Sequence, residues 1–534
     1  MTLLASEKKT LLDLIKREQL NIKVSQGWTN LMRSVQCPEM LVFDVASILS
    51  LRRIVRVIYT LNLRKKPADR ILVRPAAGGL GQKYSESHSV HGVLGADIVI
   101  RLVGQDFLGI KSLDRSNKVV TVGAATQVGE LNRLLNTQYQ LALPNASLTP
   151  YVTVAGLAAN AGVGTGRDEP AFPSLIRYFQ FCLPNGDLIE MRETDPCFPL
   201  AQSAHQGLFG FVTQISLQCR DAVKLRRVER LMSVADFFQN IRAGLFTNNA
   251  FVSAMLQSAY HEQTPVPHRE PTVRLYHWEP VSQDTPDHNA PTLFGRWLQE
   301  SMTSTYDFFR GGRWFAAFPR LIPLFTRSVL IPSSIGKTDS TSVTSWSQSV
   351  HHQTSFPHDV HDVAFLFEVS ENGEEIIGAL TIIYQEVKRC ADAGEYPLLT
   401  GMYLRYLTGS NGGVSTTAHQ SGKHVCSLDL VSSTHTECAH DFFQTIWDKL
   451  RDTYGARLHL GKWLPADYQI KTETLLDVLW SWYARHGLSL ERSMLLTAHY
   501  CHLYAMPRNF LPKPGENPAA SDDFGVGEMT CLGW

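Results

Sequence analysis

Fourteen consecutive residues, 153–166, constrain the fold more than any other stretch, because ten of them are Gly, Ala or Thr. Backbone this bare can approach a flat ligand, or another segment of chain, more closely than larger side chains allow. Thr153, Gly156, Asn160, Gly162 and Gly164 are therefore candidate ligand-facing positions. A tightly packed helix followed by a flexible loop is the competing reading. A second bare segment, Ala76-Ala77-Gly78-Gly79-Leu80-Gly81-Gln82-Lys83-Tyr84-Ser85, follows a strand-like run over residues 70–75. Successive N–H groups with little hindrance from Cβ atoms can wrap a diphosphate. Gly78, Gly79, Leu80, Gly81, Gln82, Lys83, Tyr84 and Ser85 are the matching candidates, against a plain glycine turn. No helical pattern with an acid about twenty residues on follows, so the segment lacks the dinucleotide fingerprint of a doubly wound sheet.

Elsewhere helical and extended patterns are mixed. Ser50 precedes Leu51, Ile54, Val55 and Ile58 at helical spacing and is the expected N-cap. Residues 70–75, 98–100, 119–122 and 211–219 read as strands, and 128–135 as a helix with one apolar face. Asn185-Gly186 between two apolar runs is a hairpin signal. Beyond about Val228, helices are expected at 235–245, 292–302 and 376–391, and a Pro/His/Asp-rich loop at 262–291. Strands are expected at 364–369, 402–407 and 424–431. His351, His352, His358 and His361 lack zinc-site spacing and read as loop residues. This pattern specifies an α+β chain, and 534 residues exceed what one core usually organises. The expected division is a first domain over residues 1–225 and a second over 226–455, an antiparallel sheet backed by helices. Residues 456–534 would return to the first.

Lys+Arg and Asp+Glu each number 50, so no global field draws nucleic acid, and no basic run exceeds Arg64-Lys65-Lys66. Nine dispersed cysteines, without CxxC or zinc spacing, argue against a metal site and suit a reducing, cytoplasmic setting. The first 26 residues lack a signal-peptide core, and no run of about 18 uncharged apolar residues exists to span a membrane. Residues 314–332 come nearest, but two arginines and three prolines interrupt them. Core plus loop is the expected role, with an aromatic, basic membrane-surface patch as the alternative.

Six short motifs keep one order from residue 27 to 463. Gly27-Trp28-Thr29-Asn30 precedes Cys37-Pro38, and residues 78–86 read GGLGQKYSE. Val119 leads through Gly129-Glu130-Leu131-Asn132 to Leu143-Pro144-Asn145, and TVAGLAANAGVGTG fills 153–166. Gly207-Leu208-Phe209-Gly210-Phe211-Val212-Thr213 opens a strand, and Arg457-Leu458-His459-Leu460-Gly461-Lys462-Trp463 comes late. Together these resemble the FAD-linked oxidases of the vanillyl-alcohol-oxidase superfamily, closest to its sugar-1,4-lactone and alditol oxidase branch. The resemblance implies a PCMH-type FAD-binding domain in two subdomains, a substrate cap, and FAD as cofactor. It places residues 78–86 at the pyrophosphate loop and 153–166 at the second flavin-cradling segment, and adds Pro144, Phe211 and Val212 to the cofactor set.

The resemblance also has departures. Members with covalent flavin carry His where Gln82 stands, and a carboxamide cannot form the histidyl bond, so FAD is expected to be non-covalent. A common Thr-His-Gly reads Gly162-Val163-Gly164 here. The alditol branch has an acid two residues before a cap-strand arginine, whereas this chain has Tyr403-Leu404-Arg405. Lys462 is the candidate cation near flavin N1 or the substrate oxygen; the competing reading is a solvated lysine. His459 would accept or relay a proton, against a structural histidine. Arg405 would orient substrate, against a strand-face ion pair, and Tyr403 would hydrogen-bond the substrate in place of the acid. The expected reaction is oxidation of a CH–OH group of a sugar, sugar lactone or related alcohol by hydride transfer to flavin N5, with oxygen or another electron acceptor. The alternatives are a membrane-surface dehydrogenase of a lipid-linked sugar with a non-oxygen acceptor, and a non-catalytic flavin-binding scaffold.

Overall fold

The computed structural model describes residues 3–78, 86–258, 272–288, 314, 317–322, 339–351, 358–398, 401–410, 423–470, 473–506 and 529–530. In the first of its main sheets the strands Val35–Val45, Ile98–Leu102 and Val73–Ala76 run parallel. Ile22–Thr29 lies antiparallel on one edge, and Met529–Thr530 pairs with Val35 and Gln36. Parallel strands are covered on both faces, and Phe43, Ile98, Val99 and Ile100 are accordingly inaccessible to solvent. The helix Ile48–Leu63 contributes Leu51, Ile54, Val55 and Ile58 to this core. Ser47, not Ser50, caps it, its Oγ accepting the Ser50 N–H at 3.2 Å. The helix starts early because Asp106 accepts the Ile48 N–H (2.9 Å), while the Ser50 hydroxyl turns inward to accept the Asn21 N–H.

The second sheet is antiparallel throughout, in the order Leu188–Arg192, Ile176–Cys182, Phe211–Gln218, Val119–Gly123, Ile110–Asp114. Asn185-Gly186 forms the expected hairpin turn, with Gly186 at φ +83°, a conformation a Cβ would strain.

Among the described residues the third sheet has nine strands. Its order is Asp339–Ser345, Lys224–Ser233, Thr272–Val281, Phe251–Leu256, Gly401–Thr408, His424–Ser433, Val360–Val369, Arg457–Leu458, all antiparallel. Gly166–Pro170 joins in parallel beside Gly401–Thr408. The helices Val234–Arg242, Glu374–Asp392 and Ala439–Tyr454 back one face. On the other, Ala364, Leu366, Leu407 and Val425 pack with Val163 and Ala171.

Several expectations are corrected. Residues 262–291 are not one loop, because Thr272–Val281 is a central strand with Val273 and Leu275 buried at alternate positions; residues 292–302 lie outside the described residues. His361 is in a strand. His351 is a buried C-cap, donating from Nδ1 to Ser147 O (2.8 Å) and accepting at Nε2 from the Asn132 amide (2.9 Å). The cysteines are not all free thiols, since Cys37 is disulfide-bonded. Within 314–332, Trp314 (51% exposed), Phe318 and Leu321 are surface rather than core residues, whereas Ile322 is buried. No helix among the described residues is long and apolar enough to cross a membrane.

Candidate active site

Arg74 in the first sheet and Arg70 just before its strand tie distant stretches of chain to that sheet. Arg74, buried, donates from Nε to Gly92 O (3.0 Å), from Nη1 to Leu495 O (2.8 Å) and from Nη2 to Gln206 O, and its guanidinium lies 3.9 Å from the Tyr500 ring centre. Arg70 donates to Leu496 O at 2.7 Å. Five N–H donors in one planar group suit this task, which ties three distant stretches of chain together. Gly78 leaves the strand Val73–Ala76 so tightly that a Cβ would lie 2.8 Å from Leu102 O. Gly79, Leu80, Gly81, Gln82, Lys83, Tyr84 and Ser85 lie outside the described residues.

The second segment begins as the short helix Val154–Ala159, its N-cap Thr153 accepting the Gly156 N–H at 3.1 Å. The packed-helix reading thus holds for its first half. The rest opens into bare backbone, and Gln206 ties the segment to the first sheet, its N–H donating to Ala159 O while its carbonyl accepts from Arg74. At Gly164 a Cβ would stand 2.3 Å from both Ala146 O and Asn145 Oδ1, and at Gly162 one would strike Leu157. Asn145 is 1% exposed, yet its Oδ1 and Nδ2 have no hydrogen-bond partner among the described residues. Buried amides are almost always satisfied, so this one is a donor–acceptor pair suited to a polar, flat ligand following Pro144. Asn160 Nδ2 donates to Gly156 O (3.1 Å), and its side chain stands 3.3 Å from where a Cβ on Gly461 would be. Phe211 and Val212 lie in the core of the second sheet.

The late motif completes the site. Val90 donates to Gly461 O (3.1 Å), His459 N–H to Ala364 O (3.0 Å) and Trp463 N–H to Asp362 O (2.9 Å), so residues 459–463 bridge the first glycine region to the third sheet. Lys462 Nζ reaches Asp362 Oδ2 at 2.7 Å and Asp429 Oδ2 at 3.3 Å. Arg405 pairs with the same Asp429 oxygen at 2.5 Å and donates to Val163 O (2.8 Å) and Ser427 Oγ (3.2 Å). Two cations and two carboxylates balance. Burial opposes charge on Asp429, but Arg405 and then Lys462 outweigh it and hold its pKa below the usual value. Burial likewise opposes charge on Lys462, and Asp362 and Asp429 outweigh it, so the ammonium is held firmly protonated.

His459 takes the opposite course: burial first, then the charge of Lys462, push its pKa down to about 3. Its Nδ1 accepts the Gly461 N–H at 3.1 Å, which leaves the ring hydrogen on Nε2. Tyr403, its pKa raised by burial, donates its hydroxyl to Ser253 Oγ at 2.9 Å.

Lys462, His459, Arg405 and Tyr403 are thus brought together on one face of the third sheet and the loop beyond it. Arg405 is indeed in an ion pair. The acid missing two residues before Arg405 is replaced across the strands: Asp429 stands directly opposite Tyr403 in register and binds Arg405. Asp429 and Asp362 were not among the sequence candidates. Their signal was a carboxylate interrupting an otherwise apolar strand pattern, as in Val425-Cys426-Ser427-Leu428-Asp429-Leu430.

Residues 68–192 match the FAD binding domain family. The whole chain is similar in fold to cholesterol oxidase from B. sterolicum (TM-score 0.67, 15% identity, covering 90% of this chain and 97% of that one). It is also similar to xylooligosaccharide oxidase from Myceliophthora thermophila C1 (0.59, 12%, 93% and 99%) and to Physcomitrella patens BBE-like 1 (0.59, 14%, 91% and 99%). The α+β architecture is the PCMH-type FAD-binding fold, and the cofactor is FAD.

Proposed function

Starting from an FAD-binding domain beside a charged quartet of which Arg405 and Asp429 are buried, we propose that the chain is an FAD-dependent oxidoreductase acting on a CH–OH group of a sugar, sugar lactone or related alcohol. Residues 226–455 serve as the substrate cap. The observation that carries the reading is Asp429, a carboxylate shared by Arg405 and Lys462 where the bare backbone of 160–164 meets the cap sheet. Residues 78–85, Asn145 and 153–164 hold the cofactor, which supplies the two-electron, hydride-accepting chemistry when bound.

The protein's own part is orientation and proton handling. Arg405 and Lys462 bind the substrate oxygen and favour negative charge on it as its proton leaves. His459 stays neutral across the working pH range and donates from Nε2. It serves as a hydrogen-bond donor rather than as the base first expected. Asp429, ionised, accepts the hydroxyl proton. Its two cationic neighbours make it a weak base, so it yields the proton to Lys462 as the ammonium hands one of its own protons to Asp362, whose side chain is 22% exposed. Asp429 on the neighbouring strand offers Arg405 a carboxylate, which weighs against the non-catalytic scaffold.

The purified protein should be yellow and release its chromophore into the supernatant on acid precipitation, because Gln82 cannot bond flavin covalently. On anaerobic mixing with polyols, sugar lactones and secondary alcohols, the flavin band should bleach with at least one of them. Lack of bleaching by every alcohol would leave the scaffold reading, and flavin that stays with the pellet would refute non-covalent binding.

The exposure of Trp314, Phe318 and Leu321, with Arg320 among them, favours the second reading, a dehydrogenase of a lipid-linked sugar at a membrane surface. Under it the protein sediments with vesicles containing anionic lipid and is released by Trp314→Ser/Phe318→Ser. Equal recovery in the supernatant with and without vesicles rules that reading out.

A further inference from the structure

The face of the third sheet that carries Arg405 and Asp429 continues into a second charged cluster that the reaction outlined above does not use. Along one row, Glu229 stands opposite Tyr276, Tyr276 opposite Ser253, and Ser253 opposite Arg405. Along the next, Arg274 stands opposite Met255, Met255 opposite Tyr403, and Tyr403 opposite Asp429. Directly opposed residues of antiparallel strands share a face, so Arg274 and Glu229 lie on the same floor as the site. Three strand spacings of about 4.8 Å put Arg274 roughly 14 Å from Asp429.

Glu229 is shared by two arginines, Arg227 through Nη2 and Arg274 through Nη1 at 3.0 Å. Two guanidiniums on one carboxylate leave one positive charge in excess. Arg274 is 6% exposed, and among the described residues its Nε and Nη2 have no hydrogen-bond partner; nor has Arg227 Nε. Nε and Nη2 form one straight edge of a guanidinium, with two parallel N–H groups spaced to meet both oxygens of a carboxylate. A cationic donor pair left without an acceptor in a buried position is costly to keep.

We infer that Arg274, with Arg227, binds a carboxylate on the substrate, whose alcohol end lies at Arg405, Lys462 and Asp429. The substrate class is a sugar acid of about two-ring length rather than a neutral polyol. The inference rests on the alcohol-binding reading above.

Calorimetric titration of the FAD-loaded protein tests it with lactobionate and lactitol, one carbon skeleton with and without a carboxylate. Lactobionate should bind at least roughly tenfold more tightly, as a charge-assisted pair implies. Arg274→Leu should erase the difference while retaining full flavin, Arg274→Lys should keep part of it, and Arg227→Leu provides an independent second variant. Lactobionate that fails to bind at millimolar concentration, equal binding of the two, or a preference that survives both leucine variants would overturn the proposal. Calorimetry needs no turnover, so the two readings fail separately. A carboxylate preference in a protein whose flavin no alcohol bleaches would count against the redox reading alone. Bleaching by alcohols without that preference would count against the anion site alone.

Discussion

Lys462→Met should slow flavin reduction by about two orders of magnitude, the effect of removing one preorganised charge from a developing oxyanion. Methionine keeps the length and apolar stem but takes away the ammonium that lies 2.7 Å from Asp362 and 3.3 Å from Asp429. Asp429 retains Arg405 and stays ionised, whereas Asp362 loses its cation. The proton path toward solvent is cut at the same step. Anaerobic stopped-flow reduction gives the rate, and the flavin-to-protein absorbance ratio shows whether cofactor is retained. A rate within tenfold of the unmodified protein, at full flavin content, would sink the assignment. The pH profile adds a discriminating readout. With a pKa near 3, His459 is neutral above about pH 4, so the reduction rate should show no inflection near 6.5 attributable to it.

Gly164→Ala should yield protein that has lost nearly all of its FAD and unfolds at lower temperature. The added methyl would lie 2.3 Å from a backbone oxygen and from Asn145 Oδ1. Neither can yield cheaply, because Ala146 and Asn145 are themselves buried. Overpacking of this kind costs about 1–3 kcal/mol, and the displaced atoms are those proposed to face the ligand. Asn145→Ala separates the two effects: without a clash it should keep the fold and still weaken FAD binding by roughly tenfold, the value of a buried hydrogen bond. Yellow, fully loaded Gly164→Ala protein would show that this backbone does not line the cofactor.

Much of the fold was legible because its strands and helices repeat at their own periods. The Asn185-Gly186 hairpin, the helix Glu374–Asp392 and the strands Gly401–Thr408 and His424–Ser433 all stand where their patterns place them. The strand Thr272–Val281 was obscured because it carries half-buried His277 and exposed Glu279 and Pro280, which read locally as loop. Ser50 was taken for the cap because its side chain is polar and correctly spaced, and only the long-range bond from Asn21 shows that it points inward. At the site, Lys462, His459, Arg405 and Tyr403 could be named from motif order. Asp429 could not, because it reaches Arg405 through strand pairing, and register is a property of the assembled sheet rather than of any short segment. The same limit applies to Arg274 and Glu229, 45 positions apart in the chain and joined only by that pairing.

The short strand Gly166–Pro170 bears on how molecules get in and out. It leaves the segment proposed to cradle the flavin and joins the nine-stranded sheet beside Gly401–Thr408. Around it, Thr165 Oγ1 donates to Val252 O (2.6 Å) and Tyr406 O (3.1 Å), and Arg167 N–H donates to Ala250 O (2.8 Å). Residues 165–167 are thus stitched to the nine-stranded sheet by the Thr165 hydroxyl and the Arg167 N–H and cannot swing away as a hinged lid without breaking those bonds. Turnover in the proposed reaction therefore need not wait for this junction to part.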